Sequence, residues 1–263
     1  MLTMSRRAVL AALALSPLAA RTVRAEGQGE VLIYCGITMV KPVKELGTLF
    51  ESRTGTKVTI SQGGSEDLYE ALKMSRIGDI YFPGSDSYRR QYLPEGLLGE
   101  AVPVGYNVAA LMVPRGNPKK VQADLRELLR KDLTMVVCNP DTGSIGAETK
   151  RILDRAGLTD PVLARSAFLA TDSRNLTQAV KGGQTDITLN WRATAFFPEN
   201  REAVQVIDLD PAISQPAKLE MSLLTFSRQA ETARRFMALA ASDEGQAVFR
   251  KHGFLDAARR GDY

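Results

Sequence analysis

Along the chain, short apolar runs alternate with stretches in which apolar residues recur at helical spacing. This order predicts alternating strands and helices. The segment Glu30–Gly36 is a short apolar run with polar residues on either side, which predicts a buried strand. In 39–55 the apolar residues recur at helical spacing and stop at Gly55, a typical helix end. The next patterns predict a strand, a helix and a strand at 56–61, 65–78 and 79–84. This order is typical of a mostly parallel sheet wrapped by helices.

A second α/β unit follows a long apolar stretch, 105–118, which is predicted to be a strand that leaves the first unit. Its predicted elements are a helix at 122–132, a strand at 133–138, helices at 146–157 and 173–184, and a strand at 185–191. The chain ends in a predicted strand at 218–227 and helices at 230–242 and 243–254. Two α/β units joined by long strands predict an α/β fold of two lobes with a cleft between them.

Small and hydroxylated residues crowd four of the predicted strand-to-helix corners. In open parallel sheets, ligands bind beyond the carboxyl ends of the strands. A helix begins with unpaired N–H groups and a positive dipole end, glycine admits a ligand close to the backbone, and hydroxyls add further donors. The corner residues are Gly36 and Thr38; Gly63, Gly64 and Ser65; Thr142, Gly143, Ser144 and the N–H of Ile145; and Ser173 and Asn175. Each corner alone is also explained by ordinary helix capping, but together they predict an oxyanion held by both lobes.

The charged and aromatic residues near these corners each have two interpretations. Glu66 and Asp67 follow Ser65, where they either match the helix dipole or turn inward and oppose an anion. Arg192 either supplies positive charge to the ligand or is a solvated surface residue. Trp191, the sole tryptophan, either walls a pocket or packs in the core.

The first 25 residues have the pattern of an export signal. A basic start is followed by an apolar run and by a small-x-Ala cut site before Glu26, and Arg6-Arg7 resembles a twin-arginine signal. An ordinary secretory signal is the alternative. The signal contains four of the 34 basic residues and no acid, so the remaining chain carries 30 basic and 30 acidic residues. This balance gives no reason to expect a nucleic acid or an anionic membrane as partner, and we predict a periplasmic protein.

Enzyme chemistry and metal binding have little support in the sequence. The single histidine, His252, disfavours a histidine metal cluster or a Ser–His–Asp triad, and no phosphate loop or nucleophile elbow is present. Cys35 and Cys138 end separate predicted strands, which favours two buried free thiols over a disulfide. We therefore expect a binding protein without metal, cofactor or catalytic residues.

Three stretches resemble the periplasmic solute-binding proteins of ABC transporters. The tail ARRFMALAASDEGQAVFRKHGF, 233–254, resembles the closing helices of that superfamily. Residues 110–153, with the PRGNP turn, the NP turn and the small-residue corner, resemble the second lobe of its molybdate-binding branch. Residues 31–58 match the opening of the first lobe in pattern. The resemblance covers nearly the whole chain after the export signal.

The resemblance implies the type II fold of these proteins, with two lobes that are joined by two crossing strands and close on the ligand. The first lobe is expected at 28–104 with 216–263, and the second at 105–215. The implied ligand contacts are Thr38, Ser65, Ser144, Ile145, and Ser173 or Asn175. Asn190-Trp191-Arg192 stands where the family often has a tyrosine. The expected ligand is molybdate, tungstate or sulfate, and the alternative is a small organic or phosphorylated anion that Arg192 would suit.

The resemblance also implies the partners. We expect a monomer that delivers its anion to a membrane permease with ATPase subunits. A sensor that reports its ligand to a membrane signalling protein is the alternative.

Overall fold

A computed structural model describes residues 29–255, so the predicted export signal at 1–25 lies outside the described residues. Within 29–255 the chain forms ten strands and eight α-helices. The strands are β1 (Glu30–Gly36), β2 (Lys57–Gly63), β3 (Ile80–Phe82), β4 (Leu98–Asn107), β5 (Ala109–Pro114), β6 (Val137–Cys138), β7 (Leu169–Ala170), β8 (Thr188–Trp191), β9 (Val204–Ile207) and β10 (Ala217–Leu224). The helices are α1 (Val40–Thr54), α2 (Ser65–Ser75), α3 (Asp86–Tyr92), α4 (Ser144–Ala156), α5 (Thr159–Arg165), α6 (Ser173–Lys181), α7 (Ala230–Ala241) and α8 (Asp243–Lys251).

The first lobe is built on a five-stranded sheet in the order β2-β1-β3-β10-β4. The strands β1, β2 and β3 are parallel, and β10 is antiparallel to both of its neighbours. The apolar residues that predicted α1 and α7 face one core, in which Phe50 and Phe236 meet edge to face at 5.5 Å. Gly55 ends α1 in the left-handed region with φ 71°, which glycine adopts without strain.

The second lobe has a core of its own around a three-stranded sheet, β8-β5-β9, and the parallel pair β6-β7. Strand β5 is antiparallel to both of its neighbours. The helices α4 and α6 pack against these strands through Ile145, Ile152 and Leu176. Trp191 is fully buried in this core.

The predicted α/β fold with sheets flanked by helices is confirmed, but the sheets are not mostly parallel: the five-stranded sheet is mixed, and the three-stranded sheet is antiparallel. The predicted strand at 105–118 is two strands, because the chain runs from β4 through Val108 straight into the other sheet. It returns beside this crossing, where Ala217 pairs with Asn107 and Ser214 Oγ donates to Ala109 O at 2.6 Å. The returning strand β10 therefore lies antiparallel to β4. The exact lobe boundaries remain a prediction.

Local signals account for the remaining differences. The predicted helix at 122–132 is a 3-10 helix, Leu125–Leu129, with Asp124 as its cap. The strands β7 and β9 and the helices α3 and α5 were not predicted, and α3 follows a Ser85 cap whose Oγ accepts from Ser87 N at 3.1 Å. No helix within 29–255 is both long enough and apolar enough to cross a membrane.

Candidate functional site

Three corners of the first lobe meet at one edge of its sheet. Because β1, β2 and β3 are parallel, their carboxyl ends are neighbours: Gly36 pairs with Gly63, and Cys35 pairs with Phe82. The loops that leave these strands therefore place Gly36, Gly64 and Gly84 side by side. Small residues at these positions leave the backbone of the sheet edge open to a ligand.

Two corners of the second lobe face this edge. Strands β6 and β7 are parallel and end together, since Cys138 pairs with Ala170, so the loops that lead into α4 and α6 are adjacent. The lobes touch here: a Cβ added at Gly84 would lie 2.7 Å from Ser144 Cβ, and one added at Gly64 would lie 2.7 Å from Thr142 O. The structure therefore has the cleft closed at these corners.

A small cavity of about 10 Å³ lies between the facing corners. This volume is enough for about one water-sized group. The lining residues are Gly36, Ile37, Thr38, Met39, Gly63, Gly64, Ser65, Gly84, Gly143, Ser144, Ile145, Asp172 and Ser173. The structure thus brings five predicted site residues together at one place: Thr38, Ser65, Ser144, Ile145 and Ser173.

Two of the helices at the cavity begin without a side-chain cap. Gly64 precedes α2 and Gly143 precedes α4, and neither helix start receives a side-chain hydrogen bond. The first helical bonds run from Leu68 N to Gly64 O and from Ala147 N to Gly143 O, so the N–H groups before them lie outside the helical ladders. These two helix starts direct positive dipole ends and backbone donors at the cavity, one from each lobe.

The hydroxyls of Ser65 and Ser144 are oriented to donate. The backbone N–H of Gly84 donates to Ser65 Oγ at 3.0 Å, and the indole Nε1–H of Trp191 donates to Ser144 Oγ at 3.1 Å. Neither N–H group can accept, so both hydroxyl oxygens are acceptors in these bonds. Each hydroxyl therefore keeps its own hydrogen free to donate to a further acceptor.

The start of α6 differs from the starts of α2 and α4. Asp172 caps it, with Oδ1 accepting from Asn175 N at 2.9 Å. Ser173 Oγ donates to Asn190 Oδ1 at 2.6 Å, and the direction is fixed because Trp191 N–H also donates to that oxygen, at 2.8 Å. The hydroxyl hydrogen of Ser173 is therefore committed to the core.

Three predicted site residues do not line the cavity. Trp191 lies behind it and acts only through its bond to Ser144, so its core interpretation is the one that fits. The Asn175 side chain is exposed and donates to Thr171 Oγ1. It is therefore not one of the residues that contact the cavity, although the sequence predicted it as a ligand contact. Arg192 pairs with Asp208, Nε to Oδ1 at 2.9 Å, and its guanidinium stacks on Phe196 at 4.5 Å.

We expect Arg192→Ala to change anion affinity by less than about threefold, because the guanidinium is already paired outside the cavity. The free energy of unfolding should fall by about 1 kcal/mol, the size of a partly exposed ion pair with a cation–π contact. Calorimetric titration and thermal melting measure the two effects. A loss of affinity larger than that of a serine variant at the cavity would instead assign Arg192 to the ligand.

Sequence reasoning missed four of the lining residues: Ile37, Met39, Gly84 and Asp172. Gly84 lies in FPGSD, between β3 and the Ser85 cap of α3, a helix that was not predicted, and the register of β3 beside β1 places it at the cavity. Asp172 has the ordinary composition of a helix cap. Glu66 and Asp67 are both exposed, and neither lines the cavity.

Wider grooves flank the cavity on two sides. The groove of about 940 Å³ between α2, α3 and α4, the α2–α4 groove, contains Glu66 and Asp141 together with paired arginines. The groove of about 370 Å³ between α1 and α6, the α1–α6 groove, contains Lys41, Lys44 and Arg174, with Glu199 as the sole acid among its lining residues. Since Lys41 pairs with Glu199 at 2.7 Å, the α1–α6 groove has an excess of positive charge.

Neither cysteine is activated for chemistry. Both are buried free thiols, one in each lobe core, as the sequence favoured. Burial raises the pKa of the Cys138 thiol to about 12, and it raises that of Cys35 further, so both stay protonated. Among residues 29–255 no group of three His, Cys, Asp or Glu side chains is placed to hold a metal ion.

Comparison with known proteins places this geometry among binding proteins. Residues 31–255 match the family model described as bacterial extracellular solute-binding protein. The chain is 24% identical over 237 residues to the molybdate-binding protein ModA of Rhodobacter capsulatus, covering 86% of this chain and 88% of that protein.

Two solved structures share the fold. The sulfate-binding protein SubI of Mycobacterium tuberculosis superposes with a TM-score of 0.75 at 15% identity, covering 89% of this chain and 88% of that one. PEB3 with bound L-phospholactate superposes with a TM-score of 0.68 at 17% identity, covering 86% and 99%.

Proposed function

The chain belongs to the family of bacterial extracellular solute-binding proteins, and from that premise we propose that it captures a small oxyanion for an ABC importer. The anion binds between the two lobes at the place of the cavity, and the lobes close on it. Because the cavity has room for only about one water-sized group where the corners meet, the lobes part slightly to hold the anion. The protein works in the periplasm, exported by the signal at 1–25, and meets the permease of its transporter there. It makes and breaks no covalent bond.

The observation that carries this proposal is the pair of uncapped helix starts with hydroxyls oriented as donors. Ser65 at the start of α2 and Ser144 at the start of α4 face the same cavity from opposite lobes. An anion between them gains hydrogen bonds from both lobes only when the lobes are together. Because a ligand shifts an equilibrium only by its differential contacts, this arrangement lets the anion favour the closed state.

The charge of the α1–α6 groove supports an anionic ligand. Lys44 and Arg174 are exposed there, and the groove shares Thr38 and Ser173 with the cavity. A cleft with excess positive charge raises the local concentration of anions and speeds their association. The approach of the ligand through this groove should therefore slow as ionic strength rises.

The ligand is drawn from two chemical groups. One is the fully ionised anions molybdate and sulfate, which the names of the relative in Rhodobacter capsulatus and of SubI suggest, together with tungstate, which has the shape and charge of molybdate. The other is phosphate and small phosphorylated or organic acids, which the phospholactate of PEB3 suggests. Because Arg192 is paired with Asp208, its guanidinium gives no reason to expect an organic acid as the ligand.

Calorimetric titration of ligand-free protein beginning at Glu26 tests the proposal. The panel is molybdate, tungstate, sulfate, thiosulfate, phosphate and a few small carboxylates, and a true ligand also raises the melting temperature by mass action. Silence from every anion would refute the proposed function. Deleting the gene of the permease distinguishes an importer receptor from a sensor. Uptake of the anion stops if the protein serves an importer, whereas signalling survives if it serves a sensor.

A further inference from the structure

The two grooves beside the cavity have opposite charge. The α1–α6 groove has an excess of positive charge, because its lining residues include three cations and one acid. The α2–α4 groove is lined by four acids and three bases: Glu66, Asp86, Asp141 and Glu148 against Arg90, Arg151 and Lys218. A solute that reaches from the cavity into the α2–α4 groove therefore passes from a positive to a negative environment.

Two acids of the α2–α4 groove, Glu66 and Asp141, have no cationic partner within residues 29–255. The bases of the groove are all paired with other acids: Arg90 with Asp86, Arg151 with Glu148, and Lys218 with Glu220. The negative excess of the groove is therefore located on Glu66 and Asp141.

These two carboxylates come from opposite lobes, at the place where the lobes touch. Glu66 lies in the first turn of α2, two residues after Gly64, and Asp141 immediately precedes Thr142. A Cβ added at Gly64 would lie 2.7 Å from Thr142 O, so the two segments are in contact. Like charges brought together oppose closure of the lobes, whereas a cation between them favours it.

Tyr88 adds to the same groove a polar group without a partner. Its side chain is only 6% exposed and packs beside Tyr92, yet it lines the groove. Among residues 29–255 its hydroxyl has no hydrogen-bond partner, and it is not one of the enclosed polar atoms, so it opens on the groove. Burial, with a smaller effect of Glu66, raises the pKa of Tyr88 to about 12, so the phenol keeps its proton. A nearly buried hydroxyl without a protein partner is a place for a ligand atom to bond.

We infer that the α2–α4 groove is a subsite for a positively charged group, and that the ligand is a zwitterion in which a short chain joins an oxyanion to an ammonium group. Ser144 lines both the cavity and the groove, so a ligand whose oxyanion is held there extends into the groove. The ammonium donates to Glu66, Asp141 and Tyr88 Oη. The inference rests on the proposed function and names the class of solute for it: aminoalkyl phosphates, phosphonates and sulfonates.

A matched pair of ligands tests the subsite. The compounds 2-aminoethyl phosphate and propyl phosphate have the same length and differ in an ammonium against a methyl group. Because a hydrogen bond between charged groups contributes about tenfold to affinity, 2-aminoethyl phosphate should bind about tenfold more tightly in calorimetric titration. Net charge alone predicts the opposite order, since the zwitterion is the less negative of the two ligands.

Variants of the groove locate the effect. The double variant Glu66→Gln with Asp141→Asn should abolish the preference by weakening 2-aminoethyl phosphate alone, and Tyr88→Phe should reduce it about threefold through loss of one hydrogen bond. Both carboxylates are exposed, so the melting temperature of the ligand-free double variant should stay close to that of the wild type. Glu70→Gln is the matched control, because it removes the same charge from the next turn of α2, outside the groove, and should leave the preference unchanged.

The other outcomes distinguish this inference from the proposed function. Equal binding of the two ligands by the wild-type protein, or a preference that survives in the double variant, would overturn the inference and leave the oxyanion receptor intact. An equal effect in Glu70→Gln would also overturn it, because the effect would then be general electrostatics. If magnesium chloride raises the affinity for propyl phosphate as much as the ammonium does, the groove takes a free cation and the zwitterion is refuted. No binding by these ligands or by any inorganic anion would overturn the proposed function, and the inference with it.

Discussion

Gly84→Ala is expected to weaken anion binding about 100-fold while leaving the melting temperature of the ligand-free protein close to that of the wild type. A Cβ at this position would lie 2.7 Å from Ser144 Cβ, across the gap between the lobes. Overpacking of this kind costs about 1–3 kcal/mol, and here the closed state alone bears the cost. Since the anion is held by both lobes, a chain that cannot close loses the contacts of the second lobe.

Gly63→Ala supplies the control for that experiment. Gly63 also lines the cavity, but a Cβ there would meet only the Leu68 side chain, at an ordinary 3.6 Å. Calorimetry gives the affinities, and small-angle X-ray scattering with and without anion reports closure. If Gly84→Ala binds and closes like Gly63→Ala, the lobes do not meet at Gly84 and Ser144 in the bound state.

The double variant Ser65→Ala with Ser144→Ala should lose more affinity than any change at the other hydroxyls of the cavity. Each serine supplies a donor to the anion, and its loss leaves a buried acceptor on the ligand unpaired, at a cost of about 1–3 kcal/mol. The two changes act from opposite lobes on one ligand, so their effects need not add. We expect a combined loss of at least about 30-fold, measured by titration with the anion that the panel identifies.

Ser173→Ala is the comparison for the serine variants. The Ser173 hydroxyl lies at the same cavity but donates to Asn190, so its removal should change affinity by less than about threefold. It should instead lower the melting temperature, because Asn190 Oδ1 loses one of its two donors. Equal losses of affinity in Ser173→Ala and Ser144→Ala would show that hydroxyl polarity does not govern the site.

The helix corners were predictable because each depends on local sequence. Glycine and serine after an apolar run mark the start of a helix, and parallel strands bring their carboxyl ends together, so Ser65 and Ser144 could be placed from pattern alone. The antiparallel pairing of β10 with β4 was not local, since it depends on how the chain returns to the first lobe.

Contacts between distant side chains also lay beyond the sequence. Whether Arg192 was free depended on Asp208 in the next connection, and whether Ser173 could donate depended on the orientation of Asn190. A capping pattern in the sequence indicates only that a hydroxyl or carboxylate is present at a strand-to-helix corner. Only its partners decide whether it gives a hydrogen to a ligand, accepts one or is already engaged.

The bond between Trp191 and Ser144 gives this protein a built-in optical probe. The chain has one tryptophan and seven tyrosines, so emission excited at the long-wavelength edge of absorption, where tyrosine hardly absorbs, comes from a single indole. That indole is fully buried and bonded through Nε1–H to a hydroxyl in the wall of the cavity. When an anion accepts a hydrogen bond from the Ser144 hydroxyl, the electric field at the indole ring changes. The wavelength and intensity of the emission can therefore report occupancy in real time, without a dye attached to the protein.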